Sequence, residues 1–148
     1  MVDGLNVLIV DDSADIRFEL RDKFEAIGQN VIGECSNGLE AIELVKQLQP
    51  DLVSLDIIMP VMDGIECYRI LRSLPNPPRV ILISALASEP KVLKAYEAEI
   101  YTDHFLSKPV ELEELVARIE SVFSLPALPL PTALEGSNRQ VDDGQSGQ

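Results

Sequence analysis

Residues 5–13 read LNVLIVDDS, a short apolar run, polar only at Asn6, that ends abruptly in two carboxylates, Asp11 and Asp12. The run is too short for a helix and rich in Val, Ile and Leu, as a strand covered on both faces should be. Two further runs of this kind follow, at Leu52–Leu55 and Val80–Ile83. Segments of helical period lie between them. Ile16, Leu20, Phe24 and Ile27 recur at 4, 4 and 3, with Gly28 as a stop. Ala41, Leu44 and Leu48 precede Pro50, and Cys67, Leu71 and Leu74 follow Gly64 and stop at Pro75. Leu112, Leu115, Ile119 and Val122 line the last helix, whose first turn holds Glu111, Glu113 and Glu114 where the helix dipole favours them. Weaker strands at Val31–Glu34 and Phe105–Ser107, and a helix around Ser88–Ala98, complete the pattern. Alternation of β and α five times predicts an α/β fold, a parallel sheet with helices on both faces and right-handed crossovers.

Composition narrows the function. The chain has 148 residues, 25 acidic and 12 basic, for a net charge of −13. That length allows one domain of ordinary size. The charge disfavours nucleic acid, whose phosphates need a basic footprint, and anionic membrane surfaces. No apolar run approaches the roughly 20 residues of a spanning helix, and residues 1–6 show no basic segment ahead of an apolar one. Cys35 and Cys67 form neither a CxxC nor a disulfide framework. A cytoplasmic protein is expected. Residues 1–124 are read as the domain. Residues 125–148 are proline-rich and then polar, and are read as a linker and disordered tail. Pro126 and Pro129 form a PxxP, read as a stiff spacer.

In such a sheet, ligands bind outside the carboxyl ends of the strands. The first strand ends in Asp11 and Asp12, the third in Asp56, the fourth in Ser84, and the fifth in Lys108 followed by Pro109. One rim thus collects three carboxylates, a hydroxyl and an ammonium. Each feature alone is ordinary: a solvated turn, a helix cap, a surface lysine. Together they describe a site. Two carboxylates 4 Å apart repel by about 4 kcal/mol at an effective dielectric of 20. They either take up protons or hold a hard cation, and oxygen ligands with room for water suit Mg²⁺. A cation, an ammonium and a hydroxyl together match the oxygens of a transferring phosphoryl group. One carboxylate is then left as nucleophile.

The set Val10-Asp11-Asp12-Ser13, Leu55-Asp56-Ile57-Ile58-Met59-Pro60 with Asp63-Gly64, Leu82-Ile83-Ser84-Ala85 and Ser107-Lys108-Pro109 closely resembles the receiver domain of bacterial two-component response regulators, chemotaxis-type single-domain receivers included. Residues 4–124 are covered. The spacings of 44, 28 and 24 between Asp12, Asp56, Ser84 and Lys108 fit. The resemblance implies a doubly wound, flavodoxin-like (βα)5 fold of strand order 2-1-3-4-5. It implies that Asp56 is the phosphoacceptor, that Asp12 and Asp56 bind Mg²⁺ directly with Asp11 acting through water, and that the Ile58 carbonyl is a further ligand. It implies that Lys108 contacts the phosphoryl group through a loop with a cis peptide to Pro109, and that Ser84 and Phe105 form a switch. The donor would be a phosphohistidine on a sensor histidine kinase or a histidine phosphotransfer protein. The output would be binding of a downstream protein target.

Some features depart from the family. The stretch Ile100–His104 lacks the glycine common before the switch aromatic, so the output face is the least transferable part. His104, the only histidine, is read as an ordinary surface or strand-edge residue. Bulky Ile58 and Leu86 flank the path of attacking water, so a long-lived aspartyl phosphate is expected. Two rival functions fit less well. A small phosphatase with an Asp nucleophile of the haloacid dehalogenase type needs a second Asp where Ile58 stands. A nucleotide loop would use Gly33 and Gly38, but Leu39 and Glu40 stand where Lys and Ser or Thr are required. Gly38 is read instead as a turn opening the second helix. A single-domain regulator is favoured over the receiver piece of a longer protein.

Overall fold

The computed structural model describes residues 2–85 and 104–124. Strands β1 (Asn6–Val10), β2 (Asn30–Cys35), β3 (Leu52–Leu55), β4 (Arg79–Ser84) and β5 (Phe105–Ser107) form one sheet in the order β2-β1-β3-β4-β5. Every neighbouring pair is parallel. Helices α1 (Ala14–Ala26), α2 (Gly38–Leu48), α3 (Gly64–Arg72) and α4 (Leu112–Ser124) connect or follow the strands. The helix expected around residues 88–98, Leu86 and the proline-rich tail all lie outside the described residues.

The apolar runs have the expected cause. Side chains alternate across the sheet, and both faces are covered. Leu8, Val10, Val53, Leu55, Val80 and Leu82 pack on one face with α2 and α3. Val7, Ile9, Leu52, Ile81, Ile83 and Leu106 pack on the other with α1 and α4. Polar caps start the helices. Ser13, Asn37 and Asp63 accept from the backbone N–H groups of Ile16, Glu40 and Glu66. Gly28 sits at φ +90, which ends α1 without the strain a side chain would bring.

Two expectations are corrected. Strand ends extend past the hydropathy signal, because pairing with a neighbour sets them: Arg79 pairs with Leu52, Ser84 with Ser107, and Asn30 with Asn6. Of the two settings expected for His104, the surface one does not hold: it is 5% exposed, at the strand edge directly ahead of β5, where it shares a cavity lining with Tyr68 and Val80.

Candidate functional site at the carboxyl rim

Asp11, Asp56 and Lys108 are each held by one backbone bond that continues the sheet ladder beyond the strand. The backbone N–H of Asp11 donates to the Cys35 carbonyl at 3.1 Å, that of Asp56 to Val10 at 3.0 Å, and that of Lys108 to Ser84 at 3.2 Å. Parallel register therefore brings β1, β3 and β5 to a common edge with their next residues facing one another. Carboxylate oxygens of Asp11, Asp12 and Asp56 lie within 4.8 Å of one another. The Lys108 ammonium sits 2.8 Å from Asp11 Oδ2 and 3.5 Å from Asp56 Oδ2. The Lys108–Pro109 peptide is cis.

The three carboxylates have different surroundings. Asp11 is buried, and its second oxygen accepts from the Ser13 N–H at 2.9 Å. Asp12 is exposed. Asp56 is 6% exposed. Burial first, then the neighbouring Asp11 charge, raise the Asp56 carboxyl above its ordinary value, and Lys108 pulls the other way without cancelling them. For Lys108, burial alone would lower its pKa. The hydrogen bond to Asp11 and the charges of Asp56 and Asp11 outweigh burial and hold the ammonium protonated above its ordinary range. Its contribution to stability is therefore fully present at neutral pH and is lost only on strongly alkaline titration.

Three negative charges facing one ammonium leave an excess of two. That excess, the all-oxygen donor set and the raised Asp56 carboxyl fit a small divalent cation. Asp11 is occupied by Lys108 and Ser13, which leaves exposed Asp12 and Asp56 as the carboxylates best placed to meet it. Ile58 follows two residues after Asp56, its side chain 59% exposed at the mouth. Ser84 is buried at the end of β4. Phe105 is buried against the Val80, Leu82 and Tyr68 side of the core, and its carbonyl accepts from Arg118 Nε at 3.1 Å.

The roles of two residues escaped the sequence reading. Arg17, one turn into α1, donates from Nη1 to the Asp11 carbonyl and from Nε to Glu34 at 3.1 Å. Glu34 is also held by Arg21 at 2.7 Å. The arginine thus braces the Asp11 backbone against β2. No residue pattern announces a side chain aimed at a backbone oxygen. Arg17→Ala is expected to cost about 1.5–3 kcal/mol in urea unfolding, the range for hydrogen bonds to charged groups, with part recovered in Arg17→Lys. An unchanged unfolding midpoint would remove Arg17 from the site's support.

The second is Gly64. Its N–H donates to the Ile57 carbonyl at 2.7 Å. A Cβ there would overlap the Asp56 carbonyl oxygen and lie 2.8 Å from the Asp56 carbonyl carbon and the Ile57 Cα. The Asp63-Gly64 pair was visible in the sequence, but not that the glycine presses on the backbone of Asp56. Within the same loop Val61 holds φ +73, and the Met62 N–H bonds back to the Pro60 carbonyl at 2.8 Å, a γ-turn strained for a β-branched residue.

Comparison with known proteins agrees with this geometry. Residues 7–120 match the family model of the response regulator receiver domain. A chemotaxis protein CheY of Thermotoga maritima is 36% identical over 119 residues, spanning 80% of this chain and 98% of that protein. A CheX–CheY–BeF3–Mg complex from Borrelia burgdorferi aligns at 37% identity and TM-score 0.71, covering 82% of this chain and 90% of that one. A protein-glutamate methylesterase/protein-glutamine glutaminase of Hahella chejuensis is 46% identical over 82 residues, 55% of this chain but 23% of that longer protein. The chain therefore belongs to the response regulator receiver domain family, as a CheY-type phosphoacceptor of two-component signalling.

Proposed function

We propose that Asp56 is the phosphoacceptor and that it takes its phosphoryl group from a phosphohistidine, on a sensor histidine kinase or a histidine phosphotransfer protein, in a Mg²⁺-dependent reaction. The observation that carries this is the convergence of three carboxylates within 4.8 Å on one lysine, with Asp56 itself buried 3.5 Å from the ammonium. An Asp56 oxygen forms the new bond to phosphorus, and the phosphorus–nitrogen bond to the donor imidazole breaks. The imidazole keeps that electron pair and takes a proton from solvent. Mg²⁺, held by Asp12, Asp56 and the Ile58 carbonyl with Asp11 behind a water, would neutralise charge developing on the phosphoryl oxygens. The Lys108 ammonium, 3.5 Å from Asp56 Oδ2, would meet a further phosphoryl oxygen. The Borrelia relative crystallised with Mg and BeF3 supports this reading by likeness.

Exposed apolar side chains follow Asp56 in the loop, Ile58 at 59% and Val61 at 73% exposure. They suit a protein donor, which needs apolar contact beside an acidic centre. After transfer, Ser84 and Phe105 respond to the added charge, and the change is read by a downstream protein target. The chain acts on itself and turns over no separate phosphoester, because Ile58 offers no general acid. We read residues 1–124 as the receiver and 125–148 as a linker and tail. A place in the cytoplasm is the reading that suits this role, and in the Hahella relative the matching segment is part of a longer protein. Among the described residues no helix is long and apolar enough to cross a membrane.

Acetyl phosphate with Mg²⁺ tests the reaction without the partner. Acid-stable, hydroxylamine-labile label is expected, slowed at least about tenfold by chelation of the metal, the scale of one lost electrostatic contact to the phosphoryl group. Label that forms equally well without divalent cation would refute the metal's role. Label that decays within a few seconds would refute the protection ascribed to Ile58 and Leu86.

A further inference from the structure

The sheet ends at β2, which pairs with β1 alone, so among the described residues no strand covers its outer edge. Beside that edge, Cys35 of β2 and Leu39 and Leu44 of α2 line an open groove of about 550 Å³, together with Glu34, Glu40 and Glu43. Leu39 is 51% exposed, an unusual place for a leucine of that size. The β2 ladder is irregular: Val7 pairs with Val31 and Leu8 with Gly33, so Ile32 is an extra residue. A bulge of this kind disturbs the line an added strand would follow. Recognition at this edge therefore falls to the side chains of the groove.

The three carboxylates differ in what already holds them. Glu34 is taken up by Arg17 at 3.1 Å and Arg21 at 2.7 Å, both on α1. Glu43 meets Lys46 at 4.0 Å, and both side chains are more than half exposed, a pair of little strength. Glu40 accepts from the Ser36 N–H at 3.3 Å and has no ion pair among the described residues. Glu40 and Glu43 are three positions apart and thus neighbours on the helix surface, with Leu39 and Leu44 beside them. Apolar contact flanked by uncompensated negative charge is the complement of an apolar side chain flanked by lysines or arginines. Their long stems can lie over Leu39 while the charged heads reach the carboxylates. The net charge of −13 draws such a segment in and repels an anionic one.

We propose that the groove between β2 and α2 docks a short basic segment of a partner protein. The segment seats an apolar side chain against Leu39 and Leu44 and sets flanking lysines or arginines on Glu40 and Glu43. This face needs neither Asp56 nor Mg²⁺.

The probe is a synthetic hexapeptide, acetylated and amidated, with two leucines between two pairs of lysines. It is titrated into the ¹⁵N-labelled full chain without Mg²⁺, at roughly 0.15 M salt to screen general attraction. Saturable amide shifts centred on Cys35, Leu39 and Leu44 are expected, with a Kd of about 1 mM or below. The matched peptide with alanine in place of leucine should bind at least about fivefold more weakly. The leucine peptide should lose at least about fivefold on Leu39→Ser, and as much on the double variant Glu40→Gln, Glu43→Gln. All three residues are exposed, and glutamine keeps an acceptor for the Ser36 N–H, so these variants retain the fold. Glu113→Gln with Glu114→Gln removes the same charge from α4 and should leave the affinity within about twofold. The proposal is overturned if the peptide does not saturate by about 10 mM, or if the leucine and alanine peptides bind alike. It is equally overturned if the Leu39 and glutamate variants bind as the parent does.

Discussion

Asp56→Asn takes up no phosphoryl group from acetyl phosphate or from a phosphorylated kinase, while the protein stays folded and becomes more stable. The first half follows from the chemistry: an amide nitrogen or oxygen does not replace a carboxylate oxygen as nucleophile. The second half follows from the surroundings of Asp56. Burial and Asp11 raise its carboxyl above the ordinary value of 3.8. The folded chain therefore holds that proton more tightly than the unfolded chain, so ionisation works against folding. Well below 3.8 both states are protonated and the group is neutral in its effect. The penalty grows as pH rises from the unfolded value to the folded one, and beyond that it stays constant. Removing the charge should gain about 1 kcal/mol at pH 7, an ordinary size for one substitution, and progressively less toward acid. Urea unfolding of both proteins from pH 7 down to about pH 3 measures this. Mg²⁺ should reverse the order by stabilising the parent more than the variant. Phosphorylation of Asp56→Asn at the parental rate would move the acceptor elsewhere. A variant that is less stable at pH 7 without metal would mean that the Lys108 contact outweighs burial and repulsion.

Gly64→Ala carries the other large effect, and it acts through the backbone. The added methyl would fall on the Asp56 carbonyl, and its other close neighbours are backbone atoms of Asp56 and Ile57. No rotamer change relieves such a contact, so α3 must move away from the end of β3. The expected loss is about 3 kcal/mol, the upper part of the range for overpacking. The loop that carries Asp56 and Ile58 moves with it, so acetyl phosphate labelling should fall at least about tenfold, the scale on which misplacement of reacting groups is felt. Gly38→Ala is the useful contrast. There a Cβ meets Met62 at 3.1 Å, and two of its three nearest atoms belong to a flexible side chain that can shift by tenths of an ångström. Its cost should be clearly smaller in the same urea unfolding. Equal stability of Gly64→Ala and the parent would show that the loop yields easily and that the close packing is dispensable.

Some parts of the molecule were legible because they are local. Val7–Val10, Leu52–Leu55 (polar only at Ser54) and Val80–Ile83 are local in sequence, and their shortness and Val, Ile and Leu content mark strands buried on both faces. Ser13, Asn37 and Asp63 cap helices from the adjoining residue. Asp11, Asp56 and Lys108 follow their strands directly, so knowing that the strands are parallel already places all three on one edge. Strand ends were less legible. Asn30, Arg79 and Ser84 are polar or charged, and only pairing with a neighbour draws them into the ladder.

Sequence alone determined the α/β alternation and the gathering of carboxylates and a lysine at one rim, because each rests on a residue's type and its position at the end of a local element. Tertiary structure alone decided which residues brace that chemistry and what lies far from it. Arg17 reaches the Asp11 carbonyl, Gly64 presses on the Asp56 carbonyl, and Arg118 holds the Phe105 carbonyl. A backbone oxygen is the same atom in every residue, so nothing in the sequence marks which one will receive an arginine or exclude a methyl. His104 and Arg72 make the same point from burial. A histidine read as surface and an unremarked arginine line one cavity, because solvent exclusion depends on what the chain folds over them.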